Sequence, residues 1–172
     1  EQIEAIMRGD EKEISIIDYM NETVTLEEPV TRIVTYDHQG NEILQLLGCQ
    51  DRVVGVRDTF LAQSSRFPEI SKKPSIGNQN DPDAEAVIKA NPDLILFAPQ
   101  GIMDKLPSDI KALNLLDSCE SPAFVQESVA IMGYDFNAQD NAEKWQEWHD
   151  RYFNEVAKRV ATIPENKRVR VF

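Results

Sequence analysis

The stretch TRIVTYDHQGNEILQLLGCQDRVVGV (residues 31–56) holds two β-branched runs, RIV and RVVGV, on either side of a segment one helix long. From Asn41 onward the apolar residues Ile43, Leu44, Leu46 and Leu47 recur at helical spacing. Gly48 stands where a helix C-terminus favours a residue able to take left-handed backbone. A helix between two strands returns the chain to the end of the sheet it started from, so the strands can pair in parallel. A tight turn would make them antiparallel. This stretch therefore predicts one strand–helix–strand unit.

The same order recurs downstream in DPDAEAVIKANPDLILFAP (81–99). Asp81 is the N-cap candidate, Pro82 suits the first helical position, and Asp83 adds favourable charge in the first turn. Ala84, Val87 and Ile88 form the expected inward stripe, and Asn91-Pro92 stops the helix. DLILF is a continuous apolar strand of the kind covered on both faces. Residues 57–82 read as loop, with a brief strand candidate at PSIG (74–77). Upstream, ISIIDYMNETVTLEE (14–28) reads as a hairpin with Asn21 in its turn.

Toward the C-terminus a helix is expected over 106–116, a weak edge strand at LLDSCES, and a helix from Pro122 to about Met132. A longer helix follows over roughly 138–162. On it Trp145, Trp148, Tyr152, Val156, Val160 and Ile163 fall in one wide apolar stripe. Pro164 ends that helix, and KRVRVF (167–172) starts a new strand. The fold class is thus α/β: a Rossmann-like, mainly parallel sheet with helices on both faces, plus a long C-terminal helix.

The 172 residues suffice for a domain with a sizeable core, and 41% apolar with 28% charged residues is a globular composition. Formal net charge is −12, from 30 acidic and 18 basic side chains. A surface that acidic repels phosphate backbones and anionic lipid, so nucleic acid is excluded as a partner class. No run approaches the ~20 apolar residues of a membrane span. The opening EQIEAIMRGDEKE reads as an acidic leader segment. Cys49 and Cys119 show no metal-ligand or CxxC spacing, and both a disulfide and two separate thiols remain open.

No G-x-S-x-G elbow, P-loop, G-x-G-x-x-G or H-E-x-x-H motif occurs, and only His38 and His149 could supply imidazole. No catalytic or metal site is expected, and no cofactor. His38 follows the first core strand, where open α/β sheets bind ligands. It reads either as a helix-capping residue or as a ligand-facing group. His149 lies within the apolar stripe of the long helix and reads as packed. Glu42 opens a helix as a capping candidate. Glu85 sits on the solvent flank of a first helical turn, where a dipole role and a docking role compete.

In sequence, RIV, NEIL, LG, RVVGV, then FPEI, KPSIG and DAEAVIKANPDLIL resemble the N-terminal lobe of the cluster-A (class III) solute-binding proteins. Those proteins serve ABC importers of ferric siderophores, haem and cobalamin, and the match runs from about residue 14 to 172. The resemblance implies an N-terminal lobe over 14–137, an inter-lobe helix over 138–164, and the first strand of a second lobe over 165–172, after a leader at 1–13. It implies a non-enzymatic monomer, extracytoplasmic, either periplasmic or lipid-anchored, that holds a metal chelate between two lobes and passes it to permease subunits. This lobe's wall would come from Tyr36, Asp37 and His38, then Arg57, Asp58 and Thr59, then Asn78, Gln79 and Asn80, and Gln100. Glu85 aligns with a glutamate that docks on the permease in relatives. Cobalamin binders tend to place a tryptophan near the position of Gln79, and its absence here favours a siderophore or another metal chelate. A stand-alone α/β interaction or sensory module is the alternative, and a chelatase-type enzyme a third class.

Overall fold

The computed structural model describes residues 14–18, 22–26, 30–114 and 122–169. Its architecture follows from period-two alternation. In β3 (Ile33–Thr35) all three residues are buried, with neighbours facing opposite ways. Ile33 joins one hydrophobic cluster with Leu44, Leu47, Val53, Leu94 and Met132. Val34 joins another with Ile76, Val87 and Ile95. Two cores on two faces require cover on both sides, which explains why β5 (Leu94–Leu96) is apolar without interruption. Each fully buried side chain of this size contributes about 1.5–3 kcal/mol relative to exposure.

The main sheet has the order β4-β3-β5-β6, with β4 spanning Val53–Val56 and β6 spanning Lys111–Leu113. All three pairings are parallel. The chain leaves β3 for β4 on one side and returns to β5 on the other. A topological switch point therefore lies between β3 and β5. A separate antiparallel pair, β1 (Ile14–Ile17) with β2 (Thr23–Leu26), carries the expected hairpin. The carboxylate of Asp18 ties it to the main sheet by accepting the side-chain amide of Asn114 at 3.0 Å. Asn21 of the expected turn lies outside the described residues.

Helix α1 (His38–Leu47) starts three residues before its apolar periodicity does. Asp37 is in extended backbone, and its carboxylate accepts Gly40 N–H at 2.6 Å. Gly48 closes the helix in left-handed conformation, φ 74°, as its position suggested. Glu42 is not a cap; it pairs with Arg66, because Asp37 already satisfies the helix start.

Helix α2 (Ala84–Ala90) corrects two expectations. Its N-cap is Asp83, whose Oδ1 accepts Ala86 N–H at 2.9 Å, not Asp81. Residues 78–82 are instead taken up by a tight turn in which Asn78 N–H reaches Asp81 O at 3.0 Å. Ile88 is 45% exposed, so it is not in the inward stripe. Val87 is the buried residue of the helix, the half-buried Ala84, Ala86 and Ala90 pack against the same core, and those small side chains let a seven-residue helix approach closely.

The helix expected over 106–116 is not there. Met103–Lys105 makes one 3-10 turn, and Lys111–Leu113 is strand β6. Pro107 interrupts the helical run, and β5 offers an unpaired edge that residues 111–113 satisfy. Helix α3 (Pro122–Asp135) runs three residues past its expected end, and α4 spans Gln139–Ala161. The edge strand proposed at LLDSCES begins at Leu115, and residues 115–121 lie outside the described residues. Lys167 closes a 3-10 turn, Arg168 and Val169 are not in strand, and 170–172 are not described.

Only the N-terminal half of α4 is packed. Ala142 is buried and Trp145 leans on the core. His149 is held as expected: Gln126 Nε2 lies 2.9 Å from its Nδ1, and Phe153 stacks on its ring at 5.5 Å. From Trp148 onward the apolar stripe is open, with Trp148, Phe153 and Val156 each more than half exposed. No helix among the described residues is long and apolar enough to cross a membrane.

Candidate functional site

Strand C-termini gather four loops at one end of the sheet, and short backbone bonds hold them together. Tyr36 N–H reaches Leu96 O at 3.1 Å, Arg57 N–H reaches Thr35 O at 3.2 Å, and Asp58 N–H reaches Gly77 O at 3.1 Å. The loops 36–38, 57–60, 75–81 and 97–101 therefore share the edge where open α/β sheets place ligands.

Among the expected wall residues, Tyr36 is the clear exception. Its ring is completely buried, and its hydroxyl donates to Ile76 O at 2.9 Å. Burial, with Asp83 and Asp58 nearby, pushes the phenol well above its usual range. Tyr36 is a pillar beneath the site and not part of its surface, because the alternation of β3 turns it into the second core. Asp37 is half-buried and engaged as the α1 cap, and burial raises its carboxyl above the ordinary value.

His38 opens α1 and packs edge-on to Phe60 at 4.6 Å, with Phe67 at 6.2 Å. Burial and then the charges of Arg57 and Arg66 lower its pKa, so the ring is neutral at physiological pH. Its Nδ1 is buried and lacks a hydrogen-bond partner among the described residues.

The second loop is organised around Arg57. Its Nε donates to Thr59 Oγ1 at 2.8 Å, and its guanidinium carbon lies 5.2 Å from the centre of the Phe60 ring. Asp58 faces the other way, accepting Asn78 Nδ2 at 2.9 Å and the Ser75 hydroxyl. Asn78, Asn80, Thr59 and Gln100 are exposed at this end. Gln79 is partly buried, with an unpartnered Oε1. Glu85, on the first turn of α2, is exposed.

Three contributors went unrecognised in the sequence. Phe60 and Phe67 stand edge to face at 5.6 Å and form the floor under Arg57 and Arg66. A pair of aromatics in a loop otherwise rich in Ser, Pro, Asn and Asp was the available signal. Phe97, directly after β5, has φ 59°, a conformation bulky residues seldom adopt. Nothing in the sequence marks it.

Among the described residues no three His, Cys, Asp or Glu side chains gather as metal ligands. Cys49 is a buried free thiol; Cys119 lies outside the described residues. A polar cavity of about 500 Å³ between Gly48, Arg52 and Lys144 lies at the opposite end of α1, away from the strand C-termini.

A family model described as periplasmic binding protein matches residues 33–172. YvrC of Bacillus subtilis, an uncharacterized ABC transporter substrate-binding lipoprotein, is 26% identical over 167 residues; the match covers 92% of this chain and 51% of the relative. The chain thus spans about half the length of that relative. Two solved structures share the fold. The petrobactin-binding protein YclQ of Bacillus subtilis has a TM-score of 0.69 at 22% identity, covering 86% of this chain and 53% of its own. The molybdate-binding protein MolA of Haemophilus influenzae has a TM-score of 0.73 at 18% identity, covering 91% and 56%.

Proposed function

Because the chain belongs to the periplasmic binding protein family, we propose that it forms one lobe of an ABC importer's substrate-binding component, which captures a metal chelate such as a ferric siderophore between two lobes. The observation that carries this reading is α4. Its first half is built into the lobe, while the second presents Trp148, Tyr152, Phe153, Val156 and Val160 to solvent. A contiguous apolar face of that size needs a covering body. Relatives about twice as long have the length for one.

In this reading α4 is the inter-lobe helix, with the lobe before it over 14–137 and a second lobe after it. The wall on this side comprises Arg57, Thr59, Asn78, Gln79, Asn80 and Gln100, with Asp37, His38 and Asp58 ordering it from behind. A stiff helix between lobes keeps the cleft pre-formed, which lowers the ordering cost of capture. Half a cleft buries too little of a bulky chelate, so this lobe alone binds weakly. The protein works outside the cytoplasm, free in the periplasm or lipid-anchored, as a monomer and without catalysis.

The test is titration of the full-length protein with ferric siderophores, haem and a corrinoid, followed by tryptophan fluorescence. One chelate class should saturate at about micromolar or tighter; silence toward all three overturns the reading. A further prediction concerns Glu85, which the reading assigns to permease docking. An exposed ion pair is worth only about 0–1 kcal/mol, so this residue orients more than it holds. Charge reversal in Glu85→Arg should slow uptake in cells about several-fold while leaving chelate affinity intact. Uptake at the wild-type rate would remove Glu85 from the docking surface.

A further inference from the structure

We infer that Asn41, together with Nδ1 of His38, holds internal water beneath the wall, and that this water fixes the imidazole in the tautomer with its proton on Nε2. Asn41 is then a positioning residue: it touches no ligand and acts through the ring. The inference rests on the binding-protein reading only for what that Nε2–H goes on to meet.

Helix α1 turns one face inward. A spacing of three puts His38, Asn41 and Leu44 on that face, with the Cβ atoms of successive members about 5–6 Å apart. Asn41 and Leu44 are both 0% exposed. An apolar side chain would fill the Asn41 position without burying a polar group, yet an amide stands there. Among the described residues neither its Nδ2 nor its Oδ1 has a hydrogen-bond partner, and the same holds for Nδ1 of His38. Other polar groups near the start of α1 are turned elsewhere. The buried Thr35 hydroxyl engages the backbone of Asp37, the Asp37 carboxylate accepts Gly40 N–H, and Glu42 pairs with Arg66. Buried amides are almost always hydrogen-bonded, so these orphaned atoms one helical turn apart mark a polar position set into the apolar face.

The three atoms comprise a donor, Nδ2, an acceptor, Oδ1, and a ring nitrogen able to play either part. A direct bond between the two side chains would satisfy at most two of them. Water both donates and accepts, and when buried makes about three hydrogen bonds, which matches the set. Phe60 and Phe67, both fully buried, stand against the His38 ring at 4.6 and 6.2 Å and bring no polar atom to it. The tautomer follows from the place. Nδ1 is enclosed at the first turn of α1, where the positive end of the helix favours a lone pair over an N–H. Water donating to that lone pair leaves the proton on Nε2, the ring nitrogen that is not enclosed. The ring is neutral, so a single proton has to be placed.

The experiment is nitrogen NMR of the full-length protein, labelled at histidine and asparagine, at neutral pH and without any chelate, with His38→Gln used to assign the ring. Wild type should show Nδ1 as an unprotonated nitrogen and Nε2 as an N–H, in one tautomer. The Asn41 side-chain amide should give a cross-peak to long-lived water. Asn41→Leu, close in volume, should leave the thermal midpoint equal or higher, because no amide is then buried, yet let the ring exchange between tautomers. Asn41→Ser leaves room and a hydroxyl for the water, and should restore the wild-type tautomer. A packing role alone would move the midpoint and not the tautomer. A wild-type ring that already exchanges, a proton resident on Nδ1, or no water at the Asn41 amide overturns the inference. Those wild-type spectra decide the matter even if Asn41→Leu folds poorly. With no chelate in the sample, none of these outcomes touches the binding-protein reading, which the titration above decides separately.

Discussion

Raising the pH from 6.5 to about 8 is expected to cost this protein about 2 kcal/mol of stability, and Asp135→Asn should abolish most of that loss. Asp135, the last residue of α3, is 1% exposed, and both carboxylate oxygens lack a partner among the described residues. Burial alone pushes its pKa up to about 8 from 3.8. Arg52 does not relieve it, since its guanidinium donates to the carbonyls of Val30 and Phe136.

The direction follows from proton counting. Across this range the folded state holds a proton on Asp135 that the unfolded chain has released, so rising pH draws the equilibrium toward the unfolded chain. The stabilising contribution is complete below pH 3.8, falls as pH climbs, and levels off above about 8. At about 1.4 kcal/mol per pH unit, the fall is of order 4 kcal/mol by pH 7. His38 pulls the opposite way only below its ordinary 6.5, because its folded pKa is lowered and charging it on acidification is unfavourable. Urea melts of both proteins at pH 6.5 and 8 isolate the effect. A wild-type midpoint that does not move would mean that the carboxylate is hydrated or paired.

A change of similar size is expected at Gly77. Its backbone has φ 79°, and a Cβ there would lie 2.5 Å from Asp81 O and 2.8 Å from Asp83 N. Those are backbone atoms of the turn that leads into α2, so no side-chain rotation relieves the clash. The same few residues also receive the Asp58 N–H on Gly77 O and the Tyr36 hydroxyl on Ile76 O. Gly77→Ala therefore combines left-handed strain of ~1–2 kcal/mol with ~1–3 kcal/mol of overpacking. Gly101 supplies the control. Its φ is 74°, yet a Cβ would meet nothing within 4 Å, so Gly101→Ala should lose only the ~1–2 kcal/mol of strain. Chemical denaturation of the two variants side by side measures the difference. Equal losses would show that the 78–83 turn yields, and the loop edge of the site with it.

Local chemistry was readable where a residue answers to its own neighbours. The cap at Gly48, the apolar run of β5 and the breaks at Asn91-Pro92 and Pro164 follow from backbone preference within a few residues of chain. The parallel order of the sheet was readable too, because strand–helix–strand spacing leaves the chain little choice. Asp83 shows the limit: Asp81 and Asp83 are both sound caps locally, and the tight turn around Gly77 chose between them. Lys111–Leu113 shows it again, since the demand of the β5 edge for a partner lies seventeen residues away and leaves no trace in the run itself.

The sequence by itself determined the α/β class, the strand ends where loops collect, and the residue types that those loops carry. Only the tertiary structure decided that Tyr36 turns inward as a pillar, that Phe60 and Phe67 pack as a floor, and that Asp37 and Asp58 face away from Arg57. Strand alternation and loop length bring a side chain to the right end of the sheet. Which way it then faces is settled by competition among distant partners for the same hydrogen bonds and the same buried space, and that competition exists only once the chain has closed on itself.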